Sequence, residues 1–160
     1  MATRDEVIAG LQVLIQEGKR VAADLSEADW ARAVDFDGWK SKEVIAHIAG
    51  VGTMVAPLVT GIAGAPAGTN AGAGIDIDAL NAGIVAARAD KSIAELTDEL
   101  TKNYASVIAF VKSAPDDLLE KSVTFGGYVD VPVSTIIMRM VVLHGLAHIY
   151  STYAAVMNQN

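Results

Sequence analysis

Apolar residues recur at three- and four-residue steps from the start of the chain: Val7, Ile8, Leu11, Leu14, Ile15, Val21, Ala22 and Leu25. That is the period of an amphipathic helix. Thr3 and Glu6 stand where a capping box opens such a helix, the hydroxyl accepting from an orphan amide and the carboxylate reaching back to the cap. Acidic residues interrupt the pattern over Ser26–Gly38. It resumes from about residue 41 to 62, with Val44, Ile45, Ile48, Val51, Val55, Leu58 and Val59 on one face and Pro57 predicted to kink the helix. Gly61–Gly74 consists of small residues and reads as a flexible connection, followed by a weaker helix over Ile75–Ala89. Ser92 and Glu95 form a second capping box ahead of Ile93, Leu96, Leu100, Tyr104, Val107, Ile108 and Val111, and Pro115 ends that helix. Over Ser122–Val131 the pattern changes to a short hairpin around Gly126-Gly127. Pro132 then opens the last helix, Val133–Met157, with Ile137, Met140, Val141, His144, His148, Ser151 and Ala155 on its central stripe.

These elements predict an all-α fold, a four-helix bundle with a small β-hairpin before the last helix, in one domain over residues 1–160. A chain of this length can bury a sizeable core. The richest apolar stretch, Val131–Met157, is interrupted by Arg139 and two histidines, so no membrane span is expected. The first six residues already carry acids and show no basic segment followed by an apolar one, which points to a cytoplasmic location. The absence of cysteine excludes disulfides, thiolate ligands and a cysteine nucleophile of the protein's own. A net charge of −7 without a basic cluster argues against nucleic acid as a partner. The glycine-rich loop lacks the Gly-Lys-Ser/Thr ending of a phosphate-binding loop. With 52% hydrophobic and only 19% charged residues, some apolar surface is expected to be covered in a homodimer, through the first and third long helices.

The candidate chemistry lies in the three histidines. His144 and His148 stand four apart, one turn from each other on a single helix face, where two imidazoles can grip one metal ion. His47, in another apolar helix, is the remaining histidine available as a third ligand. The spacing alone is equally consistent with histidines packed and satisfied in a core. Arg139, five residues before His144, is either a group that steers a carboxylate or a solvated cation. Tyr150 and the other tyrosines supply phenols either to a pocket or to ordinary packing. Glu43 either orients His47 from one turn away or serves the helix N-terminus. Trp39 is expected to plug the end of the bundle. No residue is singled out as a catalytic acid or base, which weakens a metal-hydrolase reading.

The segment Trp39-Lys-Ser-Lys-Glu43-Val-Ile-Ala-His47, with His144-Gly-Leu-Ala-His148 in the last helix, resembles the DinB-like superfamily. That superfamily includes metal-dependent thiol transferases and the N-terminal domain of mycothiol-dependent maleylpyruvate isomerases. The resemblance implies that His47, His144 and His148 ligate a divalent metal, often zinc or nickel, with water in the remaining positions. It further implies a low-molecular-weight thiol such as mycothiol as co-substrate, and a homodimer. Arg139 and Tyr150 are then the candidates for contacting that thiol. Other members have no known activity, so a noncatalytic, metal-containing bundle that binds a small ligand or a protein is the alternative. The chain departs from the common pattern after the last histidine, where Ile149 and Tyr150 stand in place of Arg and Gln.

Overall fold

In the computed structural model, which describes residues 1–33, 38–66 and 68–158, seven helices and one hairpin follow in order. They are α1 (Arg4–Asp24), α2 (Glu27–Trp30), α3 (Ser41–Gly64), α4 (Ile77–Ala86), α5 (Ile93–Ser113), α6 (Asp116–Glu120), β1 (Ser122–Phe125), β2 (Tyr128–Pro132) and α7 (Val133–Met157). The expected capping boxes both form. Thr3 Oγ1 accepts from the Glu6 amide at 3.2 Å while the Glu6 carboxylate accepts from the Thr3 amide at 2.7 Å, and Ser92 and Glu95 repeat the exchange ahead of α5. Ser26 and Asp29 make a third box that starts α2 inside the segment expected only to interrupt the helices. Residues 34–37 of that segment lie outside the described residues.

The directions of the four long helices follow from their contacts. Gly10 lies against Val142 and Gly145 against Leu14, so α1 and α7 run side by side in one direction. Lys42 at the start of α3 reaches the Ala89 carbonyl just ahead of α5, and Tyr104 in mid-α5 reaches Ile48, so α3 and α5 run together. Arg4 donates to the Ala114 carbonyl at the far end of α5, which makes α1 and α5 antiparallel. The order is up, down, down, up. Two successive helices that share a direction need a connection running the length of the bundle, and residues 65–92, with α4 among them, make that return.

Part of that return is pinned, which corrects the expectation of a flexible glycine loop. Asn70 Oδ1 accepts from the amides of Gly72 (3.0 Å) and Gly126 (2.9 Å), and the Ala71 amide donates to the Thr124 carbonyl. The loop approaches so closely that a Cβ on Gly72 would lie 2.8 Å from the Gly126 nitrogen. The hairpin pairs Val123 with Val131 and Phe125 with Tyr128, and turns at Gly126, whose φ is +58°.

The core gathers Leu11, Leu14 and Val21 of α1, Val44, Ile45, Ile48 and Val55 of α3, Leu96, Leu100 and Tyr104 of α5, and Ile137, Ile149 and Val156 of α7. Contrary to the expectation from Val131–Met157 alone, two helices, Ser41–Gly64 and Val133–Met157, are long and apolar enough to cross a membrane. Here much of that apolar surface packs inside the bundle. Pro57 sits within α3 and removes one backbone donor without ending the helix.

Candidate metal centre

His47 projects from α3 toward α7 and is only 2% exposed. Its Nε2 lies 3.3 Å from Nε2 of His144. The ring of His148 is 5.4 Å from that of His47 and 4.4 Å from that of His144, centroid to centroid. One ligand nitrogen from each ring falls within 4.8 Å of the others. Two imidazole nitrogens on a tetrahedral metal at about 2.0–2.1 Å stand roughly 3.3–3.4 Å apart, so the His47–His144 separation is that of two ligands on one ion. The protonation states fit as well. Burial, reinforced by His144 and His148, pushes His47 down to about 4, and burial together with His148 lowers His144. Both are therefore neutral near pH 7, as metal ligands must be.

The three rings differ in access: His47 is sealed in the core, His148 is half-buried and His144 is exposed. The cluster thus has a buried floor and an open side. This asymmetry arises from a feature that the sequence pattern did not reveal. Met138–Leu143 is a π-helical segment inside α7, and the His144 amide donates to the Arg139 carbonyl five residues back. The wider turn lets residues at four-residue steps, Ile137, Val141, Gly145 and Ile149, stay on the buried face. His144 and His148 consequently lie beside the buried stripe rather than on its centre, facing α3 at the edge of the core.

The neighbours of the cluster divide clearly. Trp39 meets His47 edge-on at 5.3 Å and is packed only partly into the core, while Trp30, which is 5% exposed, is the tryptophan buried near that end. The Glu43 carboxylate accepts from the Lys40 amide at 2.7 Å, so it caps α3 and does not orient His47. The Nδ1 of His47 is buried without a hydrogen-bond partner among the described residues. Arg139 is exposed and lies over the Tyr128 ring of the hairpin, 5.8 Å from its centroid. The π-turn stacks it on the same side of α7 as His144. Tyr150 is brought to the outer face of α7, about half a turn around from His148, and is 47% exposed. Tyr104 is fully buried and donates to the Ile48 carbonyl at 3.0 Å.

A cleft of about 1080 Å³ opens on a neighbouring flank of α3, bordered by Glu43, Ala46, Lys19, Lys40, Trp30 and Thr97 among others. None of the three histidines lines it. Its lysines and acids are mixed, so it carries no consistent charge preference.

The sequence matches the mycothiol maleylpyruvate isomerase N-terminal domain over residues 11–148. Among solved structures, the crystal structure of the mycothiol-dependent maleylpyruvate isomerase superposes with a TM-score of 0.71 at 14% identity, covering 94% of this chain and 61% of that one. A histidine-to-alanine variant of such an isomerase superposes with a TM-score of 0.66 at 15% identity, covering 91% and 60%. The chain therefore spans about three-fifths of the length of these structures and shares their DinB-like fold. No curated protein sequence matches it.

Proposed function

The chain belongs to the mycothiol maleylpyruvate isomerase N-terminal domain family, and on that premise we propose that it is a divalent-metal-dependent enzyme of the thiol-transferase or isomerase type. The observation that carries the reading is the convergence of all three histidines of the chain, from two helices, on one point with an open side. In this reading His47, His144 and His148 hold the metal, with zinc or nickel best suited to imidazole donors. A divalent ion bound to a small thiol lowers its pKa and supplies the thiolate that a chain without cysteine lacks.

The remaining roles belong to the protein's own residues. His47 is the fixed member, wedged between Trp39 and the α7 histidines, so the position of the site is set by the packing of α3 on α7. His144, at the surface, marks the side from which a thiol and an electrophile enter. Arg139, held over Tyr128 and brought above His144 by the π-turn, offers a cation to a carboxylate on either co-substrate. A structural metal site is closed by its ligands and apolar surroundings, and the exposure of His144 favours the catalytic alternative over a noncatalytic bundle. The reaction belongs in the cytoplasm, where small thiols are kept reduced.

Metal analysis of untagged protein tests the reading directly. We expect one divalent ion per chain, near-complete loss of that ion in His47→Ala, and strong loss in His144→Ala with the far-UV circular dichroism of the native fold retained. In cobalt-substituted protein, mycothiol should produce a sulfur-to-cobalt charge-transfer band. Absence of stoichiometric metal would refute the site; metal binding without any thiol-dependent band would favour the noncatalytic alternative.

A further inference from the structure

The Nε2 of His47 faces His144 at 3.3 Å, while its other ring nitrogen, Nδ1, is buried with no hydrogen-bond partner among the described residues. A histidine that ligates a metal through one nitrogen ordinarily donates its other N–H to a carboxylate, a carbonyl or water. Glu43, the one acid in α3, is turned to the Lys40 amide instead, at 2.7 Å. A polar atom buried in this way calls for a physical reason.

The reason stands just ahead of α3. Trp39 meets the His47 ring edge-on, with centroids 5.3 Å apart and planes at 61°. The other ring contacts of His47 are to His144 and His148, so among the described residues Trp39 is its aromatic neighbour outside the ligand set. Side chains on a helix lean toward its N-terminus, which brings the imidazole back over the indole. An indole face is electron-rich: it attracts an N–H and repels a nitrogen lone pair. It therefore selects between the two neutral tautomers, favouring the proton on Nδ1 and leaving the Nε2 lone pair on the side of α7. The backbone around Trp39 is held for this contact. Gly38 turns the chain at φ +74°, Lys40 is bridged to Ala33, and Ser41 donates its amide to the Arg32 carbonyl at 2.9 Å and its hydroxyl to the Asp29 carbonyl at 3.0 Å.

We propose that Trp39 is the positioning residue for His47: its indole face accepts the Nδ1–H and so fixes the tautomer that presents Nε2 toward His144 and His148. Its consequence for metal binding rests on the reading of the three histidines as ligands, whereas the contact itself exists without a metal. An aromatic acceptor, unlike a carboxylate, brings no negative charge to the ligand, so His47 is oriented without being made more basic.

Nitrogen-resolved NMR of the metal-free protein at pH 7, where His47 is neutral, tests the contact. His47 should be protonated on Nδ1, with that proton moved upfield by the indole ring current. The upfield shift should disappear in Trp39→Leu, with the proton divided between the two nitrogens, and the Nδ1 tautomer should persist in Trp39→Phe. Zinc affinity, measured by chelator competition, should fall about 10-fold or more in Trp39→Leu and stay near the wild-type value in Trp39→Phe. Trp30→Leu supplies the packing control, because Trp30 is buried near the same end but makes no ring contact among the described residues. A wild-type His47 protonated on Nε2 would overturn the proposal, as would a downfield Nδ1–H insensitive to Trp39→Leu, the mark of an oxygen acceptor. Equal losses of affinity in all three variants would also overturn it, by reducing Trp39 to packing. A wild type with the upfield Nδ1–H but no bound zinc would uphold the contact and refute the metal reading alone.

Discussion

Acidification of the metal-free protein should destabilise it over a pH range set by His47. The ordinary value for histidine is 6.5, whereas burial and the two neighbouring imidazoles push His47 down to about 4 in the folded chain. Between those values the unfolded chain takes up a proton that the folded chain refuses. The contribution is therefore intact above pH 6.5 and is lost progressively as the pH falls toward 4. At about 1.4 kcal/mol per pH unit for one proton, the whole interval amounts to roughly 3 kcal/mol, an upper figure because the His144 side of the cluster is open to water. That is a large share of the roughly 5–15 kcal/mol that holds a typical domain folded.

Urea melts at a series of pH values with a chelator present, run on the wild type and on His47→Leu, isolate the effect. Glu6 and Glu95, held low by the backbone and hydroxyl hydrogen bonds of their caps, lose their contribution only below the ordinary carboxylate value of 4.5, and they do so in both proteins. The lowered His144 is common to both as well, since burial and His148 cause it. The wild type should therefore lose about 3 kcal/mol more than the variant between pH 7 and pH 4. Parallel stability profiles would refute the account of His47 as a buried neutral imidazole.

Two further substitutions probe the packing that positions the site. Tyr104→Phe removes a fully buried hydroxyl that donates to the Ile48 carbonyl, one residue after His47, and should cost about 1–2 kcal/mol, seen as a lower urea midpoint at unchanged slope. An unchanged midpoint would mean that this hydrogen bond does not help hold α5 on α3. Gly145→Ala places a Cβ 2.9 Å from Leu14 Cδ1 and 3.7 Å from Ile48 Cγ2, so overpacking should cost about 1–3 kcal/mol. Because α7 must then shift against α1 and α3, metal affinity measured by titration should fall together with the melting temperature; a fall in neither would show that Leu14 gives way instead.

What the sequence by itself determined about this protein is what local physics can settle. The helical periods of α1, α3 and α5, the capping boxes at Thr3 and Ser92, and the hairpin at Gly126 each depend on residues within a few positions of one another. The His144–His148 pair is legible for the same reason, since four residues along a helix always share a face. Tertiary structure alone decided the rest. The chain separates His47 from His144 by 97 residues, and only the packing of α3 on α7 brings their nitrogens to 3.3 Å. The π-turn at Met138–Leu143 is likewise a packing outcome, because α7 must keep residues four apart on the buried face, which a uniform α-helix would rotate away. It moved the histidines to the edge of the core and left the site open. Glu43 appeared free to orient His47 until the Lys40 amide claimed it. The half-turn between Tyr150 and His148, by contrast, is local helix geometry, and the 47% exposure of Tyr150 is what the packed structure adds. A periodic pattern states which residues share a face; which neighbour that face meets depends on contacts between segments distant in the chain.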